Sequence, residues 1–380
     1  MTNEIKILFA GDYYPCGRVA DLFNRCDYES VFMEVRDINH TVDYSVVNFE
    51  CNIATEDDKR IKKSGPSLCA DEKSMDALSW AGFNMICLAN NHFRDYGDKP
   101  VARTIECAKR RNIDVVGGGV NIDDASKILY RTIKGKKIAF INACETEFSI
   151  ASKYAGGSNP LNPISQYYSI KEARENADKV FVIIHGGHEH CQEPSFRMKQ
   201  TYRFFVDAGA DAVINHHQHC FLGFEVYHNH PIFYGIGNFC FDKLNDKMPD
   251  TWCFGYVVIL NISENITFDI IPYEQCGNKP LVHFLEDKSK FIEKLDNLNQ
   301  ILADDKRMVE YLHHFYDSNP IIDVTIPLLG RFWCRLRPYI KKHINSLWYY
   351  HLKDYLFCES HRDRLEYEIG EKIEKDSEIL

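Results

Sequence analysis

No C-x-x-C pair occurs anywhere in the chain, although it holds 14 cysteines. Zinc ribbons and dithiol redox sites need that spacing, so neither is expected. The cysteines are scattered, and several sit inside apolar runs, as Cys87 does between Ile86 and Leu88. They read as reduced, buried small hydrophobes of a reducing compartment. No uncharged apolar run reaches the roughly 18 residues of a membrane-spanning helix, so none is expected. The apolar run near the start, residues 5–10, is too short for the core of a signal peptide, and the expected location is cytoplasmic. Basic charge is not in excess: 45 Lys and Arg against 55 Asp and Glu leave a net charge of −10. Bulk nucleic-acid binding is thereby excluded. Gly117, Gly118 and Gly119 do not have the G-x-G-x-x-G spacing of a dinucleotide loop. No internal repeat at solenoid periods is visible.

Histidine, by contrast, is concentrated. His185, His188, His190, His216, His217, His219, His228 and His230 are half of the 16 histidines in the chain. Imidazole is the commonest side-chain metal ligand and is neutral near pH 7. The cluster centres on residues 211–219, a short apolar run ending in His216, His217 and His219. Any one of His188, His190, His228 and His230 is more readily a bystander.

The preceding chain supplies partners. Residues 5–10 read as a buried strand that delivers Gly11 and Asp12, and residues 46–49 as one that delivers Glu50. A third strand, residues 84–89, delivers Asn90, Asn91 and His92, with Asp95 and Gly97 following. Helices are expected over 71–80, 98–111, 170–177 and 196–207, the last closed by Gly209. Further strands are expected at 115–116, 136–143, 180–184, 211–214 and 232–234, then a closing antiparallel pair at 252–262 and 266–273. Residues 149–166 read as a long loop. The strand at 180–184 delivers His185. Five strand ends therefore carry Asp12, Glu50, Asn91 with His92, His185, and His217 with His219.

Carboxylate, carboxamide and imidazole together suit one or two divalent ions such as Mn, Fe or Zn. Glu50 is placed to bridge two of them. A two-ion site makes a hydroxide nucleophile available at neutral pH and clamps a tetrahedral transition state. His92 is the candidate for charge stabilisation or protonation of a leaving oxygen, and Asp95 for orienting its ring.

Six motifs in order resemble a known family: Gly11-Asp12; Asn48-Phe49-Glu50; Asn91-His92 with Asp95 and Gly97; His185-x-Gly187-x-Glu189; residues 208–214 with His216-His217-x-His219; and Gly237-Asn238-Phe239 with Phe241-Asp242. The order is similar to that of the poly-γ-glutamate capsule synthesis (CapA) family, a branch of the calcineurin-like metallophosphatases. The resemblance implies a four-layer α/β/β/α sandwich, an α/β fold with the site at its strand ends. By position it implies Asp12, Glu50, Asn91, His185, His217 and His219 as metal ligands and His92 as the catalytic histidine. It also implies a hydrolase acting on a phosphoester or an anionic polymer such as poly-γ-glutamate, or else a metal-binding accessory protein of polymer synthesis or export. Two positions depart from the metallophosphatase pattern. Tyr14 stands where a histidine is usual, and Glu50 where an aspartate is.

Past residue 281 the strand pattern gives way to charged helical spacing, with Phe291, Leu295, Leu298 and Leu302 on one stripe. The expected organisation is a main domain over residues 1–280 and a helical C-terminal extension over 281–380. Between Arg331 and Lys353 basic residues alternate with aromatics and no acidic residue occurs. A peripheral contact with the inner membrane face is one expectation for this stretch, and packing on the main domain is the other.

Overall fold

A computed structural model describes residues 4–245, 248–319, 353–354 and 356–377. The stretch from Arg331 to Lys353 therefore lies, but for Lys353, outside the described residues. The chain opens in one sheet with β1 (Ile5–Tyr14), β2 (Tyr44–Phe49), β3 (Met85–Cys87) and β4 (Asp114–Val116), all mutually parallel. It crosses to a second sheet with β5 (Leu129–Ile133), β6 (Lys136–Cys144), β7 (Lys179–His185), β8 (Ala212–His216), β9 (Phe224–Tyr227) and β10 (His230–Phe233). It then returns to the first with β11 (Asn238–Phe241), β12 (Phe254–Ile262), β13 (Ile266–Gln275) and β14 (Val282–Phe284). The first sheet runs β14-β13-β12-β1-β2-β3-β4, with β11 also paired to β1; the second runs β9-β10-β8-β7-β6-β5.

Strand alternation builds three apolar layers. Ile7 and Phe9 of β1 face Phe140, Phe181, Ile183 and Ile214 of the second sheet. Phe9 meets Phe181 edge to face at 6.1 Å, and Tyr44 stacks on Phe140 at 5.6 Å. Each such large side chain contributes roughly 1.5–3 kcal/mol by leaving water. Leu8 and Ala10 face the other way, onto α1 (Gly17–Asn24), α2 (Glu29–Asn39), α3 (Lys73–Trp80) and α4 (Asp98–Arg110). Across the molecule, Val180, Val182 and Ile184 of β7 lie under α5 (Pro163–Asn176) and α6 (Phe196–Ala208). The layers are helix, sheet, sheet, helix, as the family resemblance implies.

Two more helices close the second face: α7 (Ser289–Leu302) and α8 (Asp305–Ser318). Phe291, Leu295 and Leu298 enter the core between the sheets, while Leu302, Met308, Leu312 and Tyr316 enter the core beneath α6. A last helix, α9 (Glu359–Ser377), follows. None of the described helices is long and apolar enough to cross a membrane. The 13 described cysteines are all free, and most are buried.

Besides α1, α2, β5, β9 and β11, which the sequence reading does not name, three elements differ from it in ways worth stating. First, β1 does not stop at Ala10. A register shift after Ala10 lets it continue, pairing Asp12 with Asn48 on one side and with Asn238 on the other. Second, α5 begins at Pro163, not at residue 170, because Asn162 caps it by accepting from the amides of Ile164 and Ser165. Third, β8 runs through His216, so only His217 and His219 lie past its end.

Candidate metal centre

Parallel strands in both sheets deliver their carboxyl ends to the same edge, where open α/β sheets place ligands. Asp12 is reached through Gly11, where a Cβ would lie 1.8 Å from the carbonyl oxygen of Gly237. Only a residue without a side chain allows that approach, and the Asp12 amide then donates to the same oxygen at 3.0 Å. Glu50 sits one residue past β2, and its amide donates to the Tyr13 carbonyl at 3.0 Å. His185 is the last residue of β7, in register with His216 of β8. His217 and His219 follow with φ of 101° and 56°. Left-handed backbone at two non-glycine residues within three positions is strain of about 1–3 kcal/mol each, a frequent mark of functional sites.

These side chains converge. Glu50, His185 and His217 form one group of potential ligand atoms that all lie within 4.8 Å of one another, and Asp12, Glu50 and His219 form a second. Glu50 belongs to both, with one Oε1 3.6 Å from His185 Nε2 and 3.7 Å from His219 Nε2. Asn91 Oδ1 is 3.0 Å from His185 Nε2, so it faces the first group. All six residues expected as ligands, Asp12, Glu50, Asn91, His185, His217 and His219, thus share one buried cluster.

The electrostatics fit a cation. Both Glu50 carboxylate oxygens are buried with no hydrogen-bond partner among the described residues. Burial, then Asp12, pushes this carboxyl well above its ordinary value. Burial likewise holds His185 well below the imidazole range, with the neighbouring histidines adding to it. His219 is pushed down to about 4, again chiefly by burial. Neutral imidazoles with available lone pairs, around a carboxylate that no described residue satisfies, are a donor set that a divalent ion would complete.

A layer of partners orients this set. Asn48 donates to Asp12 Oδ1 at 2.7 Å and lies 3.2 Å from His185 Nδ1. Asp12 Oδ2 accepts from the His217 amide at 3.0 Å. Asn238 Oδ1 is 2.9 Å from His219 Nδ1, which turns Nε2 toward Glu50. His216 reaches the Ala10 carbonyl at 3.1 Å and so ties the two sheets together instead of joining the cluster. His92 and Asp95 lie beside Asn91, with Nδ1 of His92 2.7 Å from Asp95 Oδ2. Tyr14 leans edge-on against Phe241 at 5.0 Å.

The remaining histidines of the cluster have other partners. His188 bonds the Tyr316 hydroxyl at 3.0 Å, and His190 lies 6.0 Å from Trp252. His228 stacks on Tyr227 at 4.1 Å, and His230 meets the Asp211 carbonyl at 3.2 Å.

Two residues of the site had no part in the sequence reading. Glu147 accepts from Asn91 Nδ2 at 3.3 Å and lies 3.9 Å from His217 Nε2. It follows β6 by three residues, so the strand-end rule that singles out Glu50 applies to it as well. Lys63 comes from the charged loop after β2 and contacts both Asp95 and His92. Nothing in its local sequence distinguishes it from a solvated lysine.

The chain is similar to several known proteins. Capsule biosynthesis protein CapA of Bacillus anthracis is 32% identical over 305 residues, 77% of this chain and 73% of that protein. PGA biosynthesis protein CapA of Bacillus subtilis is 32% identical over 244 residues, so the chain spans 64% of its length. A 5'-nucleotidase precursor from Thermus thermophilus is 12% identical with a TM-score of 0.42, over 82% of this chain and 59% of that one. Residues 6–243 match the family described as bacterial capsule synthesis protein PGA_cap, and the chain belongs to that family.

Proposed function

We propose that the chain is a metal-dependent hydrolase of capsule or surface-polymer metabolism, acting on a phosphoester or on an anionic polymer such as poly-γ-glutamate. The observation that carries this is Glu50, a buried carboxylate shared by two ligand groups and satisfied by no donor among the described residues. One or two ions of Mn, Fe or Zn suit the mixed oxygen and nitrogen donors. Such ions, when bound, supply an activated water at neutral pH and stabilise charge on transferring oxygens. Asp12, Glu50, Asn91, His185, His217 and His219 would hold them. The names of the Bacillus relatives support the capsule assignment.

The chain's own residues would handle the proton. His92 lines a cavity beside Asn91 and His217. The shorter of its Nδ1 contacts is to Asp95, which assigns the Nδ1 proton to that bond and leaves Nε2 for exchange with substrate. Burial, then Lys63, holds His92 below its ordinary value, so its resting form is neutral. Lys63 balances the Asp95 carboxylate.

A non-catalytic, metal-binding role in polymer synthesis or export is the second reading. Tyr14 favours it, because the group of Asp12, Glu50 and His219 has three donors and gains no imidazole from that position. Purified protein loaded with Mn²⁺ and assayed on a generic phosphodiester and on poly-γ-glutamate separates the two. Hydrolysis is expected, abolished in Asp12→Ala and His217→Ala. In His92→Asn it should fall by at least about 100-fold with metal content unchanged. Full metal occupancy without turnover establishes the second reading, and failure to bind metal sinks both.

A further inference from the structure

Among the six residues of the metal centre, Asn91 alone is a carboxamide. Its Oδ1 can bind a cation, whereas its Nδ2 only donates hydrogen bonds. The two ends are nearly the same size, so the network of partners, not packing, decides which one faces the cluster. Oδ1 lies 3.0 Å from His185 Nε2, and Nδ2 donates to Glu147 Oε2 at 3.3 Å. The first of these hydrogen bonds cannot persist with a cation bound, because His185 Nε2 then offers its lone pair to the ion and keeps no proton for Asn91. Among the described residues, Glu147 is the partner that remains to hold the amide. Its other oxygen lies 3.9 Å from His217 Nε2, the ring atom opposite the Nδ1 that meets His185 at 3.0 Å. One carboxylate thus faces the outer sides of two ligands. It is itself anchored, through the loop that follows β6. Two residues on, Ser149 Oγ donates to the Asn91 carbonyl at 2.6 Å and accepts from the Arg94 amide at 3.1 Å. Just before it, Thr146 donates its amide to Glu359 at 2.7 Å, and Glu145 accepts from the Ser360 amide at 3.2 Å. Glu147 is therefore pinned between the turn that carries Asn91 and helix α9.

We propose that Glu147 is a positioning residue of the metal centre: it fixes the Asn91 carboxamide with Oδ1 toward the cluster and so sets the affinity for the ion held by Glu50, His185 and His217. This rests on the reading of the cluster as a metal site. Partners outside the ligand set commonly orient the ligands in this way. The other charged groups of the site have other partners. The cavity beside the cluster measures about 500 Å³, and Asp354, His361 and Arg364 from the far end of the chain form one of its walls. There Asp354 Oδ2 lies 3.3 Å from His361 Nδ1. Lys63 contacts Asp95 and His92. Glu189, a further acid of the cavity, is kept ionised against burial chiefly by His219 and His217. None of these donates to or accepts from the Asn91 side chain. Burial raises the Glu147 carboxyl and His217 opposes it, but in either form it keeps an oxygen that accepts from an amide.

The test is calorimetric titration of the full chain with Mn²⁺, joined to side-chain amide exchange of the metal-free protein labelled with ¹⁵N at asparagine. Glu147→Ala should weaken Mn²⁺ binding about 10- to 100-fold, the range for loss of an orienting partner. Glu147→Gln, which keeps an acceptor oxygen in place, should recover most of that loss. Added to Asn91→Ala, the Glu147→Ala change should have no further effect, because the two residues act as a unit. In the metal-free protein the Asn91 amide signal, assigned by its absence from Asn91→Ala, should exchange faster with solvent in Glu147→Ala than in wild type. Equal Mn²⁺ affinity of wild type and Glu147→Ala overturns the proposal. So do losses that simply add in the double variant, and a Glu147→Gln variant as weak as Glu147→Ala, which would mean that the charge and not the bond matters. A wild type that binds no Mn²⁺ is a different result and sinks the metal reading. The metal-free exchange still decides then whether Glu147 holds the amide, and equal rates in wild type and Glu147→Ala show that it does not.

Discussion

Glu50 is the residue on which the site turns, and its physics is two-sided. Without a cation it is a buried carboxylate raised well above its ordinary value by burial and by Asp12, so it works against folding. With a cation it is the shared ligand. Glu50→Gln keeps the shape, removes the charge and leaves one oxygen. The metal-free variant is therefore expected to unfold at a higher temperature than metal-free wild type. Its Mn²⁺ affinity should fall by at least about 100-fold, the upper end of what loss of an outer partner produces. The rise in unfolding temperature on adding Mn²⁺ should disappear with it. Thermal scans with and without Mn²⁺ after chelation check this. A variant that is less stable when metal-free and still responds to Mn²⁺ would show that Glu50 is a structural carboxylate.

At the scale of elements, legibility followed the range of the interactions. Strand ends carrying Asp12, Glu50, His185 and His217 could be read because each is a local event: an apolar run, then a polar residue. The α5 start at Pro163 was local too, but the Asn162 cap was hidden in a stretch rich in turn residues. What could not be read is what joins distant segments. Lys63 meets Asp95 only after a loop folds back, and the wall of Asp354, His361 and Arg364 reaches the site from over a hundred residues beyond β11. The continuation of β1 past Ala10 is of this kind, since it needs Gly237 against Gly11 and a second partner strand. That junction predicts a large effect from a small change. Gly11→Ala puts a methyl group where the Gly237 carbonyl oxygen lies, so β1 and β11 must separate. A loss of at least about 2 kcal/mol is expected. Because Asp12 rides on the same contact, Mn²⁺ affinity should drop in parallel. Denaturant melts and metal titration test it, and a variant with wild-type values for both would mean that β11 is not fixed by this approach.

Across the whole molecule, the chain is closed by a clasp between its last described helix and the loop after β6. Glu145 is the hub, with Oε1 accepting from Arg197 at 2.7 Å and Oε2 accepting from the Ser360 amide at 3.2 Å. Burial pushes the Glu145 carboxyl up, but Arg197 and Ser360 outweigh it and bring it down to about 2. Since the folded value lies below the unfolded one, this contribution is complete above the ordinary carboxyl range and is lost as pH falls toward 2. From the ordinary value of 4.5, the shift corresponds to roughly 3 kcal/mol for a group that is 3% exposed. Burial drives Glu359 and Asp363 the opposite way, so their shares of the clasp do not follow this dependence. Comparison with Glu145→Gln isolates the hub. In wild type, amide exchange along α9 should accelerate as pH is lowered from 5 to 2.5, after correction for intrinsic rates, while β7 and β8 stay protected. In Glu145→Gln the helix should exchange faster already at pH 7 and respond little to acid. Wild type and Glu145→Gln showing the same protection across the whole range would mean that α9 is held by its apolar contacts and not by this carboxylate.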